Sequence, residues 1–119
     1  MKTLKRLLFS SLLFASIATY AQDMSEDISY GNATIDDKFC LVLDSTKPIQ
    51  SYYKADMSGF GFTSEKEAIK YLGRHSNNLV SLRPDYEENK VIVEIHTDRT
   101  NGEKDIVWWN NYLESICKR

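Results

Sequence analysis

The sequence lacks most of the features that announce a function. No apolar run in its 119 residues reaches the roughly 20 that a helix needs to cross a bilayer. Lys and Arg number 15 against 17 Asp and Glu, so there is no positive surplus to grip a phosphate backbone. Neither a Gly-x-Ser-x-Gly elbow nor a His-Glu-x-x-His is present, and Gly59-Phe60-Gly61 lacks the following Lys-Ser/Thr of a phosphate loop. The carboxylate pairs Asp36-Asp37 and Glu87-Glu88 are neighbours along the chain, whereas acid–base catalysis needs groups converging on one substrate. His75 and His96 are the two histidines, and neither has a second ligand at a regular spacing. Without repeats, low-complexity runs or an interdomain linker, the length suits one domain. These absences speak against nucleic-acid binding, enzymatic catalysis and a bound metal or cofactor.

The clearest positive signal is an address. Lys2, Lys5 and Arg6 precede an apolar stretch from Leu7 to Thr19, and Thr19-Tyr20-Ala21 puts small residues at −3 and −1 of a cut between Ala21 and Gln22. This segment resembles Gram-negative export signals, and no Cys follows it to carry a lipid. The expected location is periplasmic or secreted, with no membrane attachment after processing. Removal of residues 1–21 leaves 98 residues, with 12 Lys and Arg against 17 Asp and Glu, a net charge of −5. Residues 22–37 are polar and acidic without sustained periodicity, which predicts a flexible N-terminal arm before a single domain at 38–119.

Within that domain the apolar run Phe39-Cys40-Leu41-Val42-Leu43 reads as a strand, followed by turn residues to Pro48. From Ile49 the pattern alternates, with Tyr53, Ala55 and Met57 on one face and Tyr52 and Lys54 on the other. These two strands read as a hairpin. Ser64-Glu65-Lys66-Glu67 is a capping box ahead of a helix whose apolar stripe is Ala68, Ile69 and Leu72, with Tyr71 as a further candidate. Leu79–Leu82 and Val91–Ile95 are strands, the latter with Val91, Val93 and Ile95 on one face. Ile106, Trp109, Leu113 and Ile116 fall at helical spacing, so a last helix is expected over 105–118, with Asp105 at its start and Lys118 and Arg119 at its end.

The predicted order, a leading strand followed by βαββα, is most of a ferredoxin-like unit without its closing strand. The expected fold is an α+β ferredoxin-like sandwich: a four-stranded antiparallel sheet with two helices on one face, the leading strand taking the closing position beside Ile49–Met57. That placement brings Cys40 to the end of the last helix, where Cys117 lies, and predicts a disulfide between them in an oxidising compartment. Two independent thiols are the alternative. The placement also requires Cys40 and Val42 to face the helices, and Phe39, Leu41 and Leu43 to face the open side.

From Met57 to His96 the chain resembles heavy-metal-associated domains. That family carries Gly-Met-Thr-Cys-x-x-Cys at the start of its first helix, where this chain reads Gly61-Phe62-Thr63-Ser64-Glu65-Lys66-Glu67. Leu79-Val80 and Lys90-Val91-Ile92-Val93 match the strand pair that follows. The resemblance implies the ferredoxin-like topology and, as an alternative function, divergent metal handling. The two metal-binding cysteines, however, fall on Ser64 and Glu67, which cannot replace thiolates for a soft ion.

Aromatics are the feature that folding explains least. On a helical wheel Trp109 joins the apolar stripe while Trp108 projects away, flanked by Tyr112, and Tyr52 lies on the open face of its strand. Exposed aromatics mark contact surfaces. Trp108, Tyr112 and Tyr52 are therefore the candidate contacts for a protein or glycan partner in the cell envelope. A cover provided by the arm or a loop is the competing account. The function that follows is a small exported binding or accessory module without catalysis.

Overall fold

Alternation decides which side of each strand is buried, and one face of the sheet collects nearly all the apolar side chains. The computed structural model describes residues 28–117. The expected signal segment, its cut at Ala21–Gln22 and the last two residues lie outside that range. Within it run β1 (Gly31–Ile35), β2 (Leu41–Leu43), β3 (Tyr52–Asp56), α1 (Glu65–Arg74), β4 (Val80–Asp85), β5 (Lys90–Ile95) and α2 (Ile106–Cys117). Among the described residues the strands form one five-stranded mixed sheet in the order β2-β1-β3-β5-β4. Tyr53 opposite Val93, Ala55 opposite Val91 and Leu82 opposite Val93 put these side chains on a common face. Ala68 and Leu72 of α1, and Trp109 and Leu113 of α2, join them in a single core.

The α+β composition and the two helices on one face agree with expectation, but the sheet does not. Gly31–Ile35, expected in a flexible arm, is a strand, and it takes the position beside β3, to which it runs parallel. The expected hairpin partner β2 is displaced one place outward and pairs antiparallel with β1. The sheet therefore has five strands, one pairing parallel, instead of four antiparallel ones. The facing of β2 is also the reverse of that expected: Leu41 and Leu43 are buried and Val42 is 53% exposed.

The turn that links β1 to β2 explains the reversal. Asp36 Oδ1 accepts the Lys38 and Cys40 amides at 3.0 and 2.8 Å, and Phe39 donates to the Asp36 carbonyl. Phe39 itself is left-handed at φ 61°, the conformation that completes a three-residue hairpin loop. That extra residue sets which of the following side chains point inward. Gly31 makes β1 possible in turn. A Cβ there would lie 2.5 Å from Gln50 Oε1 and 2.6 Å from the Tyr53 ring. The fully buried Tyr53 ring thus supplies the bulk that β1 lacks. Gly31→Ala is expected to cost about 1–3 kcal/mol through overpacking, read as a lower urea midpoint at unchanged slope. An unchanged midpoint would mean that β1 does not pack on Tyr53.

Both sheet edges are closed by side chains. Asn110 of α2 accepts the Leu43 amide at 2.9 Å and donates to the Leu43 carbonyl at 3.1 Å. On the opposite edge Asn77 takes the Val80 amide, Ser76 takes the Leu82 amide, and Pro84 has no amide to offer. Edges finished in this way do not recruit another strand.

α1 begins as the sequence predicts, with Ser64 Oγ accepting the Glu67 amide at 3.1 Å. The reciprocal half of the box differs. The Glu67 carboxylate accepts from the hydroxyl and the amide of Thr63, one residue earlier, and these bonds hold it below the usual carboxylate range. Ile69, expected in the apolar stripe, is 53% exposed, whereas Tyr71, the further candidate, packs against the core.

A candidate binding cleft beside the disulfide

The last turns of the two helices stand apart over the sheet, and the β1–β2 turn closes the gap between them. The result is a cleft of about 580 Å³. Its apolar lining comes from three separated stretches: Phe39 and Leu41 of the β1–β2 turn and β2, Val80 and Leu82 of β4, and Leu113 and Ile116 of α2. Cys117 also lines it, and the expected disulfide to Cys40 is formed, with a Cα–Cα distance of 5.2 Å. That separation lies within the range a disulfide requires. A disulfide in a small chain fits an oxidising compartment. Among the described residues no helix is long and apolar enough to cross a membrane.

Phe39 is where the turn and the cleft meet. A bulky residue at positive φ is a rare and costly conformation. It is held by ring contacts on the α1 side: the Phe39 ring stacks on His75 at 4.0 Å and 16°, and meets Tyr71 and Phe60 at 5.7 and 5.5 Å. Phe60 and Phe62 extend the cluster. These rings were invisible as a group in the sequence, because the turn glycines around Phe60 and Phe62 gave a sufficient local account.

The polar groups of the cleft divide into committed and free. Ser76 Oγ donates to the Leu72 carbonyl and accepts the Leu82 amide, and Asn77 Oδ1 accepts the Leu79 and Val80 amides. Lys38 and Arg74 have no hydrogen-bonding or ion-pair partner for their side chains among the described residues. Among the described residues no Asp or Glu lines the cleft. Asp36, the acid nearest Lys38 along the chain, is spent on the turn amides.

The three expected contact aromatics do not form one surface. Trp108 and Tyr112 are together, their rings stacked at 5.6 Å and 4°, with Lys104 Nζ 5.5 Å above Trp108. Both are half-buried, packed against the core through Trp109. Tyr112 also lines the cleft. Tyr52 is on the opposite face of the sheet, where it meets the Tyr30 ring and its hydroxyl lies 3.4 Å from Glu94. A strand's alternation separates its own two faces, but it does not place either face relative to a helix 56 positions away in sequence.

The open face carries a further array that spacing along the chain concealed. Ser81 Oγ lies 2.7 Å from His96 Nε2, and His96 Nδ1 lies 3.8 Å from Glu94 Oε2. The cross-strand register of Ser81 with Glu94 creates it. A serine nucleophile also needs donors for an oxyanion. Here the adjacent Val80 and Leu82 amides are already spent on Asn77 and Ser76. Arg83 and Tyr52 converge on the same Glu94, which makes the array a polar ladder over the sheet. His75, the other histidine, is taken up by stacking on Phe39. No group of three or more His, Cys, Asp or Glu with metal-binding geometry occurs among the described residues. Ser64 and Glu67, at the positions where heavy-metal-associated domains carry cysteines, both serve the α1 cap. Compared with known protein families, curated proteins and solved structures, the chain matches none of them.

Proposed function

We propose that this chain is a small exported binding module of a Gram-negative cell envelope, without catalysis of its own, and that its recognition site is the cleft between the helices. One observation carries the reading: a cleft of about 580 Å³ with an aliphatic floor, whose Lys38 and Arg74 side chains have no hydrogen-bonding or ion-pair partner among the described residues. Pockets of several hundred Å³ with an apolar lining and a few uncommitted polar groups are the usual form of a ligand site. The strained Phe39 supports it, since backbone strain gathers at functional positions. Of the expected contact aromatics, Tyr112 belongs to this site and Trp108 backs it from behind. The run from β3 to α2 keeps the strand–helix–strand–strand–helix order of a ferredoxin-like unit, and β1 and β2 are additions whose connecting turn, with Leu41, builds a wall of the cleft. The test is amide shift mapping with a set of small uncharged apolar fragments. Shifts should concentrate on residues 74–77, Leu82 and 112–117. Shifts spread over the open face of the sheet, or none, would remove the cleft as the site.

A further inference from the structure

We infer that the ligand of this cleft is a single-chain anionic amphiphile, an alkyl tail ending in a carboxylate. The inference rests on the cleft being the binding site and adds the chemistry of what enters it. The lining divides sharply by type. Its floor is aliphatic, from Leu41, Val80, Leu82, Leu113 and Ile116, and offers only dispersion and burial. Of the neutral polar side chains in the lining, Ser76 Oγ and Asn77 Oδ1 are consumed by the β4 edge and the His75 ring is stacked on Phe39, which leaves few hydrogen-bonding groups beside that floor. A ligand rich in hydroxyls or amides would leave its own polar groups unpaired there.

The rim supplies the second half. Lys38 on the β1–β2 turn and Arg74 at the end of α1 are both cationic and unpartnered among the described residues. The two helix ends facing the cleft carry partial negative charge of about 0.5 each. Two full positive charges exceed that sum and leave the rim net positive. Residues 28–117 hold 14 Asp and Glu against 10 Lys and Arg, yet none of those described acids lines the cleft, so its rim is locally positive. A tail on the floor and an anion at the rim satisfy both halves at once, and the guanidinium can take a carboxylate in a paired hydrogen bond. A volume of about 580 Å³ suits one chain and not a two-chain phospholipid.

The probe is dodecanoate below its micelle concentration, followed by titration calorimetry with the disulfide-bonded protein. Dodecanol serves as the uncharged control, and phosphatidylglycerol vesicles distinguish a lipid surface from a free carboxylate. Dodecanoate is expected to bind at least about tenfold more tightly than dodecanol. Shortening the chain from twelve carbons to ten should weaken it about tenfold more. The exposed double substitution Lys38→Gln with Arg74→Gln should erase the advantage over dodecanol and leave the melting temperature unchanged. Equal binding of dodecanoate and dodecanol would overturn the anionic ligand while leaving the cleft as a site. Dodecanoate binding that survives the double substitution would overturn the role of the rim. Capture by vesicles without binding of monomeric dodecanoate would assign a membrane surface instead, and binding of neither probe would overturn the inference, with fragment mapping then deciding whether the cleft binds anything.

Discussion

Removing the disulfide is expected to lower the stability of the domain by about 4 kcal/mol, the scale set by closing a long loop. Cys40 and Cys117 are 77 residues apart, so the bond restricts most of the unfolded chain. The native state gives a second reason for a large effect. β2 is three residues long and has only β1 as a strand partner. Its outer edge is held by Asn110, and its entry is held by Cys40 bonded to Cys117, so α2 grips β2 at two points one helix-half apart. Without the bond the Asn110 grip must hold alone. For a domain of this size the change corresponds to a fall in melting temperature on the order of 20 °C. The check is a melt of Cys40→Ser with Cys117→Ser beside the parent, and of the parent with reductant, with intact mass confirming the paired state. A shift of under about 1 kcal/mol would mean that the reduced chain already holds β2 in place. The cleft should suffer with it, because Phe39 precedes Cys40 and Cys117 forms part of the wall.

Local signals in the sequence were reliable where a residue's own neighbours decide the outcome. The Ser64 cap, the inward set Val91, Val93 and Ile95, and the stripe through Trp109 and Leu113 all form as the pattern indicates. The failures arise where a partner far along the chain decides. β1 reads Gly-Asn-Ala-Thr-Ile, with only Ala33 buried, and a strand this poor in apolar bulk carries no period to detect. What makes it a strand is the Tyr53 ring lying over Gly31, a contact between positions with no local relation. Once β1 takes the place beside β3, β2 must move outward, and the Phe39 turn fixes its facing. The disulfide pairing was nevertheless anticipated correctly, because both arrangements leave the start of β2 near the end of α2 and only the facing of Cys40 differs. The cleft was out of reach for the same reason as β1. Its lining comes from the β1–β2 turn, the end of α1, β4 and α2, and no one segment shows more than one wall.

The adjacent tryptophans separate core from surface more sharply than any other pair in the chain. Trp109 is fully buried, the largest such side chain in the domain, and Trp109→Ala is expected to cost about 3–5 kcal/mol from lost burial and the cavity left behind. Trp108 is half-buried, stacked on Tyr112 and under Lys104, and its truncation to Ala should cost only about 1–2 kcal/mol. Urea unfolding of the two variants decides between them, and comparable losses would show that Trp108 is a core residue in its own right. Trp109→Phe refines the comparison. Trp109 Nε1 is buried without a hydrogen-bond partner among the described residues, and an unpaired buried donor is itself worth about 1–3 kcal/mol of destabilisation. Phe removes that donor while keeping an aromatic ring beside Tyr112, so the two changes oppose each other. Trp109→Phe is therefore expected to lose less than half of what Trp109→Ala loses. If Phe proves as costly as Ala, the indole's shape, and not its burial, is what seats α2 on the sheet.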